Sequence, residues 1–364
     1  MTTAPSSLRS LSHIAIIGGG LGGLLLARML QLRGVPFTVY EREASPTSRP
    51  QGGALDMHPE TGQEALRRAG LLERFHDFAR YEDQAVRSFD KYGQLQFEQL
   101  ASDVERQRPE IDRGQLRALL MEKLPAGAIK WNHSFVSAKS EGETLVLDFA
   151  DGCAEQAGFL VGADGARSRV RALLSDVPPI YTGTTMYELS IDDADTQHAP
   201  VGALVGRGML SAKGDGKTLI AQRNAGAHIR VYVVLGRASR GIAETRQSLI
   251  DELHGWDDRL VDIVRAAGPT VRALPLEVLP IGHKWPRHPR MTLLGDAAHL
   301  MPPAGEGANL ALLDAADLAD ALNSEGSRDQ AIRSYEDTMI ARGADAARRA
   351  MHVLENGGPQ SSEH

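Results

Sequence analysis

Cysteine is nearly missing from this 364-residue chain: Cys153 stands alone. A single thiol excludes an intramolecular disulfide and any zinc or iron–sulfur site built from several cysteines. Positive charge is not in excess either. Lys plus Arg number 40 against 47 Asp plus Glu, a formal net charge of −7. Nucleic-acid binding draws on net positive charge, so no such partner is expected. No run is long and apolar enough to span a bilayer, and no membrane partner is expected. Met1–Ser12 holds one Arg and no apolar centre, so it reads as a polar tail and not as a secretion signal. Gly357–His364 reads the same way. A cytoplasmic monomer is the expectation. Two motifs are also missing: G-x-S-x-G, which removes support for a serine hydrolase, and G-x-x-x-x-G-K-[ST], which removes a P-loop.

What remains is a core-forming composition, 42% hydrophobic and 24% charged. Disordered chains do not look like this. The length exceeds what one core usually supports, so two domains, or one with a large insert, are expected. His13–Ile17 is apolar and runs into glycines. Leu24–Leu32 has helical composition and closes on Gly34, and Pro36–Tyr40 is β-rich. That order predicts a βαβ unit. Helices are expected over Pro59–Ala69 and over Asp112–Leu124, the latter capped by Asp112 with Leu116, Leu119, Leu120 and Leu124 on one face. Lys130–Phe149 alternates as strands, and Phe159–Val161 enters Gly162-Ala163-Asp164-Gly165. From Tyr181 to about Leu235 the chain is β-rich. Helices fit Glu244–His254 and Asp258–Ala266. Met291–Leu294 is a last apolar strand before Gly295-Asp296, and long helices follow near Ala308–Leu322 and Arg328–Val353. A β-rich stretch between α/β stretches predicts an inserted sheet domain.

The chemistry begins at Gly18-Gly19-Gly20-Leu21-Gly22-Gly23, which satisfies G-x-G-x-x-G at Gly18, Gly20 and Gly23. The first glycine permits the tight turn, the second a close approach to pyrophosphate, the third close helix–strand packing. The helix that follows presents free N–H groups to phosphate. Glu41 ends the second strand, where a carboxylate can accept hydrogen bonds from ribose hydroxyls. An acid there argues against a 2′-phosphate, so FAD or NAD fits better than NADP in this pocket. A second segment, Leu293-Leu294-Gly295-Asp296-Ala297-Ala298-His299, delivers Asp296 from a strand. Pro302-Pro303-Ala304-Gly305-Glu306-Gly307-Ala308-Asn309 then opens a helix. Its N-terminus could face an anionic flavin edge, or Asn309 could simply cap an ordinary helix.

Together these motifs resemble the single-component FAD-dependent aromatic monooxygenases, the para-hydroxybenzoate hydroxylase-like family. Gly162-Ala163-Asp164-Gly165-Ala166-Arg167-Ser168 is similar to that family's second fingerprint. Gly52-Gly53-Ala54-Leu55-Asp56-Met57-His58, Pro109-Glu110-Ile111-Asp112-Arg113 and Asp296-Ala297-Ala298-His299-Leu300-Met301-Pro302-Pro303 resemble its tetracycline-inactivating branch. The resemblance implies an α/β fold: a Rossmann-like FAD-binding domain, an inserted β-sheet substrate domain and a C-terminal helix. The implied division is 1–80, 106–176 and 286–325 for the FAD domain, 81–105 and 177–285 for the substrate domain, and 326–364 for the C-terminal helix and tail.

By the same resemblance Glu41 and Arg42 hold the adenosine half of FAD. Asp56 and Arg117 contact the flavin or its ribityl–phosphate chain, and Asp296 the ribityl–pyrophosphate region. Asp164, Gly295, Gly305, Gly307 and Asn309 complete the cofactor set, and Arg49 meets NADPH or NADH. The resemblance also implies that the flavin itself, as a C4a-hydroperoxide formed with O₂ and shielded from water, carries the oxygen transfer. No catalytic side chain is assigned. Glu188, Met209, His228 and Pro303 are the substrate-side candidates, for an aromatic or polycyclic molecule.

The chain departs from the tetracycline-inactivating pattern in two ways. The Pro303–Gly307 loop is one residue shorter and has Glu306 in place of Gln. Glu188, Met209 and Ile229 stand where those relatives have polar contacts, with His228 one register away on the opposite face, so tetracycline itself is not supported. Two other readings stay open: a flavin reductase or dehydrogenase on the same fold, and a non-catalytic protein that sequesters a ligand. No metal is expected. His283 and His288 read as a surface loop, and Arg342–Arg349 as a solvated helix face.

Overall fold

The computed structural model describes residues 13–48, 52–100, 107–236, 245–324 and 326–356. Arg49 lies outside them. The first sheet is parallel and has five strands. Its order is Met291–Leu293, Phe159–Gly162, Ile14–Ile17, Phe37–Tyr40, Ile129–Lys130. The central strands are apolar, because the sheet is covered and they have no solvated side. Ile14, Ala15 and Ile16 are wholly buried. Helices Leu21–Leu32 and Gly307–Leu322 pack against each other beside this sheet. Gly22 makes that closeness possible: a Cβ there would lie 2.9 Å from the carbonyl oxygen of Ala311.

A three-stranded antiparallel sheet (Phe135–Glu141, Thr144–Phe149, Ala154–Ala157) flanks the first. Tyr40 stacks on Phe149 at 4.6 Å between ring centroids and joins the two. A second large sheet has seven strands. It takes Ala85–Asp90 and Leu95–Gln99 from early in the chain and five strands from Ile180 to Val278. Ile229, Val231, Val233 and Leu235 alternate onto one face, where helices Ala199–Val205, Arg246–Glu252 and Asp258–Ala266 cover them in a separate core. A short ribbon, Ala54–Asp56 paired with Glu110–Asp112, lies against the other face. The 29-residue helix Arg328–Asn356 is the last described element.

Several local expectations are corrected. Pro59–Gln63 forms a π-helical turn before the α-helix Glu64–Arg68. Asp112 does not cap Arg113–Glu122. Its carboxylate accepts from Arg80 at 2.7 Å and from the Asn224 amide at 3.2 Å, tying the ribbon to the large sheet. His283 is buried against Trp285, not at the surface, and burial lowers its pKa. Arg342 is half-buried, not fully solvated: it reaches Asp314 and Asp317 at 2.8 and 2.9 Å. Helix Asp258–Ala266 matches its expected span, with Asp257 accepting from the Arg259 N–H as its cap.

Candidate active site

Parallel strands end on the same edge of their sheet, and four of these ends carry the sequence motifs. Ile14–Ile17 delivers Gly18–Gly20, and Phe37–Tyr40 delivers Glu41. Phe159–Gly162 delivers Asp164, and Met291–Leu293 delivers Gly295-Asp296. Segments up to 278 residues apart in sequence thus share one crevice.

The glycine loop is shaped by contact. Gly18 has φ +111°, and a Cβ on it would stand 2.3 Å from the Ala163 carbonyl oxygen. A Cβ on Gly23 would stand 2.1 Å from the Gly18 carbonyl oxygen. Gly20, in contrast, is exposed and has nothing within 4 Å. The loop is closed where protein meets protein and open where a pyrophosphate would approach the helix Leu21–Leu32. Glu41 is buried, and its carboxylate accepts from the N–H of Gly19 at 2.6 Å and of Glu43 at 2.9 Å. Arg117 is only 4% exposed. Its guanidinium donates to the carbonyls of Gly19 and Pro46 at 3.0 and 3.2 Å and pairs with Glu43 at 3.0 Å. Its described contacts therefore brace the loop from behind. Arg42 is exposed at the same strand end. Asp164 accepts from Ser168 at 2.5 Å and from the Arg169 N–H at 2.7 Å, which organises the turn after its strand.

The opposite wall is the 295–307 segment. Asp296 is exposed, although the residues on either side of it are buried. Gly295 has φ +58°, and its N–H donates to buried Asp314 at 3.0 Å. Pro303 and Gly305 are exposed. Gly305 comes close to Asp56 and Gly307 to Asp296: their added Cβ atoms would lie 3.5 and 3.8 Å from those carboxylates. Asn309, 1% exposed, is no helix cap. Its amide donates to the Asp56 carbonyl at 2.8 Å and accepts from the His58 N–H at 3.0 Å, stapling the ribbon to the helix. Asp56 also pairs with His58 at 2.7 Å. Across the ribbon, burial and then the Asp56 charge push the Glu110 carboxyl up to about 8, so Glu110 holds a proton at neutral pH. Glu306 receives Arg349 of the C-terminal helix in a two-pronged pair, 2.9 and 2.5 Å.

The third wall is the polar face of the seven-stranded sheet. Glu188 lies opposite Tyr232, Arg230 opposite Gln222, and Gln222 opposite Met209, so all five share one face. Glu188 and Arg230 form a buried ion pair at 2.8 Å. A Cβ on Gly53 would lie 2.6 Å from Gln222 Oε1 and 2.9 Å from the Tyr232 hydroxyl oxygen, so the ribbon meets this face closely at Gly53. His228 is not brought to it. It precedes the strand and pairs with Asp192 at 2.7 Å on the sheet's rim. Ile229 points the other way, into the helix-covered core. The face assignment read from the sequence was therefore inverted: Arg230 and Tyr232, which sequence reasoning missed, are the inward residues. Their period of two on an apolar strand was the available signal.

A family model described as "FAD binding domain" matches residues 12–352. The chain belongs to this family. The structure agrees with the group it implies: an open glycine cradle, an acid at the next strand end and a second acid at the far strand meet on one edge. The monooxygenase penA of Penicillium thymicola is 28% identical, over 94% of each chain. The 3-amino-4-hydroxybenzoate 2-monooxygenase PtnB3 of Streptomyces platensis is 30% identical, over 93% of this chain and 86% of its own. The crystal structure of the tetracycline destructase Tet(51) overlays with a TM-score of 0.73 at 20% identity, covering 96% of this chain and 92% of that one, a likeness of fold. The protein is an FAD-dependent monooxygenase. No helix among the described residues is long and apolar enough to cross a membrane.

Glu41→Ala should purify with less FAD and bind added FAD more weakly, by about 1.5–3 kcal/mol for a charge-assisted acceptor. Fluorescence titration of the apoprotein measures this. An undiminished affinity would remove Glu41 from the ribose.

Proposed function

We propose that this FAD-dependent monooxygenase takes electrons from NADPH or NADH and uses O₂ to hydroxylate an aromatic or polycyclic small molecule. The observation that carries the reading is the meeting of three walls: the strand ends, the 295–307 segment, and the polar sheet face behind Gly53. Bound FAD supplies the redox and oxygen chemistry. The protein's part is to hold, orient and keep dry. Glu41 and Arg42 serve the adenosine half. Gly18, Gly20 and Gly23 serve the pyrophosphate, with Arg117 and Asp164 bracing the turns around it. Asp296 serves the ribityl hydroxyls, and Gly295, Gly305, Gly307 and Asn309 shape the wall beside the ring, with Asp56 at its edge. Arg49 serves the nicotinamide donor. Glu188, Met209 and Pro303 border the substrate, joined by Arg230 and Tyr232, with His228 outside on the rim.

The names of the relatives support an aromatic substrate, since PtnB3 is named for an aminohydroxybenzoate. The proposed division follows the sheets: residues 1–80, 106–176 and 286–325 for FAD, 81–105 and 177–285 for substrate, and 326–364 closing the chain as a monomer. The test is substrate-stimulated NADPH consumption across phenols, anthraquinones and tetracyclines, with mass analysis of products. A product heavier by one oxygen is expected. Stimulated oxidation with no oxygenated product from any of them would favour a reductase.

A further inference from the structure

Beside the crevice, three side chains of different chemistry point at one another. We propose that His133, Asp151 and Cys153 form a three-ligand site for a zinc-class divalent cation, with the fourth position left to water. Their donor atoms all lie within 4.8 Å of one another, and His133 Nε2 is 3.7 Å from Asp151 Oδ2. Tetrahedral zinc with nitrogen, oxygen and sulfur ligands sets donors about 3.3–3.7 Å apart. One pair is already at that spacing. Asp151 and Cys153 are exposed, so rotation about their side-chain torsions can close the rest.

The histidine is prepared for the task. Its Nδ1 bonds the Trp131 carbonyl at 2.8 Å, which places the proton there and turns the Nε2 lone pair outward. Metal-binding histidines are held in this way by a backbone acceptor on the other nitrogen. The ring is also fixed between Tyr40 and Phe149, at 6.1 and 5.6 Å. Asp151 and Cys153 sit on a closed hairpin turn: the Phe149 N–H donates to the Cys153 carbonyl, and the Cys153 N–H donates to Asp151 Oδ1. That second bond leaves Oδ2 for the ion. A mixed nitrogen, oxygen and sulfur set suits zinc and disfavours magnesium and calcium, which take oxygen. Binding forms a metal–sulfur bond and releases the thiol proton to solvent. The site adjoins the adenosine end of the crevice, since the His133 N–H donates to the Glu41 carbonyl at 2.8 Å.

Cys153 is the chain's one thiol, so its reaction with an aromatic disulfide reagent reports on the site without background. In the FAD-loaded protein, micromolar zinc should slow that reaction at least tenfold. A chelator should restore it, and magnesium should leave it unchanged. Asp151→Asn and His133→Gln should each lose most of the protection. Because Asp151 is exposed, its variant keeps the test valid even if the histidine variant folds poorly. Cobalt should give intense d–d bands in the red, beyond flavin absorption, and Cys153→Ser should lose them. A rate unchanged by zinc, or protection that survives Asp151→Asn, would overturn the site and leave the monooxygenase reading untouched.

Discussion

Asp314→Asn lowers the melting temperature by roughly 5–15 °C. Asp314 is wholly buried and has three partners: the Gly295 N–H, the His299 ring at 2.6 Å and Arg342 at 2.8 Å. Removing one member of a buried ionic group costs about 3–5 kcal/mol, because the remaining charges stay desolvated. The pH dependence follows from two shifts. Burial alone would lower the His299 pKa, but the Asp314 carboxylate more than offsets it, and the pKa is raised. That contribution is complete below about pH 6.5 and is lost as pH rises through the raised value. Burial would raise Asp314, but His299 and then Arg342 hold it down. Its contribution is present above about pH 4 and is lost as pH falls through the lowered value. Wild-type protein should therefore show a network contribution on the melting curve that declines on both sides of a mildly acidic window, and Asp314→Asn should flatten that dependence. Differential scanning calorimetry from pH 2 to 9 reads it out. A parallel shift at every pH would mean that the aspartate acts by packing alone.

Gly18→Ala should abolish FAD retention outright. The backbone there has φ +111°, a region costly to any side chain, at about 1–3 kcal/mol. The new methyl would also meet the Ala163 carbonyl oxygen at 2.3 Å, and that oxygen belongs to the neighbouring strand end and cannot swing aside. Overpacking adds about 1–3 kcal/mol more. The strain falls between the glycine loop and the Asp164 turn, so it displaces both at once. Purified Gly18→Ala should be colourless and should not regain flavin absorbance with excess FAD. Gly20→Ala is the control: its methyl meets open space, so it should fold normally and lose affinity only through its approach to the ligand. Normal flavin content in Gly18→Ala would refute the contact.

These cases separate what could be read in the sequence from what could not. The strand-end positions of the glycine loop, Glu41 and Asp296 were legible because the signal is local: each follows a short apolar run and needs only its neighbours in sequence to be placed. Asp314 and Arg342 were not, since their partners lie on other helices and nothing in an alanine-rich helix announces a buried charge. The inverted face at Ile229 has a different cause. A one-residue error in a strand exchanges inside for outside, and the apolar residues Val231 and Val233 belong to a core supplied by helices both before and after them in the chain. Asp112 misled through its position. It stands where a cap would, but Arg80 and Asn224 claim its carboxylate.

The C-terminal helix has a geometric consequence for the crevice. Arg342 and Arg349 are seven residues apart, so they project from nearly the same side of one rigid rod, about 10 Å apart along its axis. The first grips Asp314, which holds the Gly295 N–H, and the second grips Glu306. Like the jaws of a caliper, they set the span between Gly295 and Glu306. With its ends pinned, a loop of different length can only bow more or less deeply into the crevice. Shortening or lengthening the loop between these two anchors would therefore alter how far it bows while its ends stay in place.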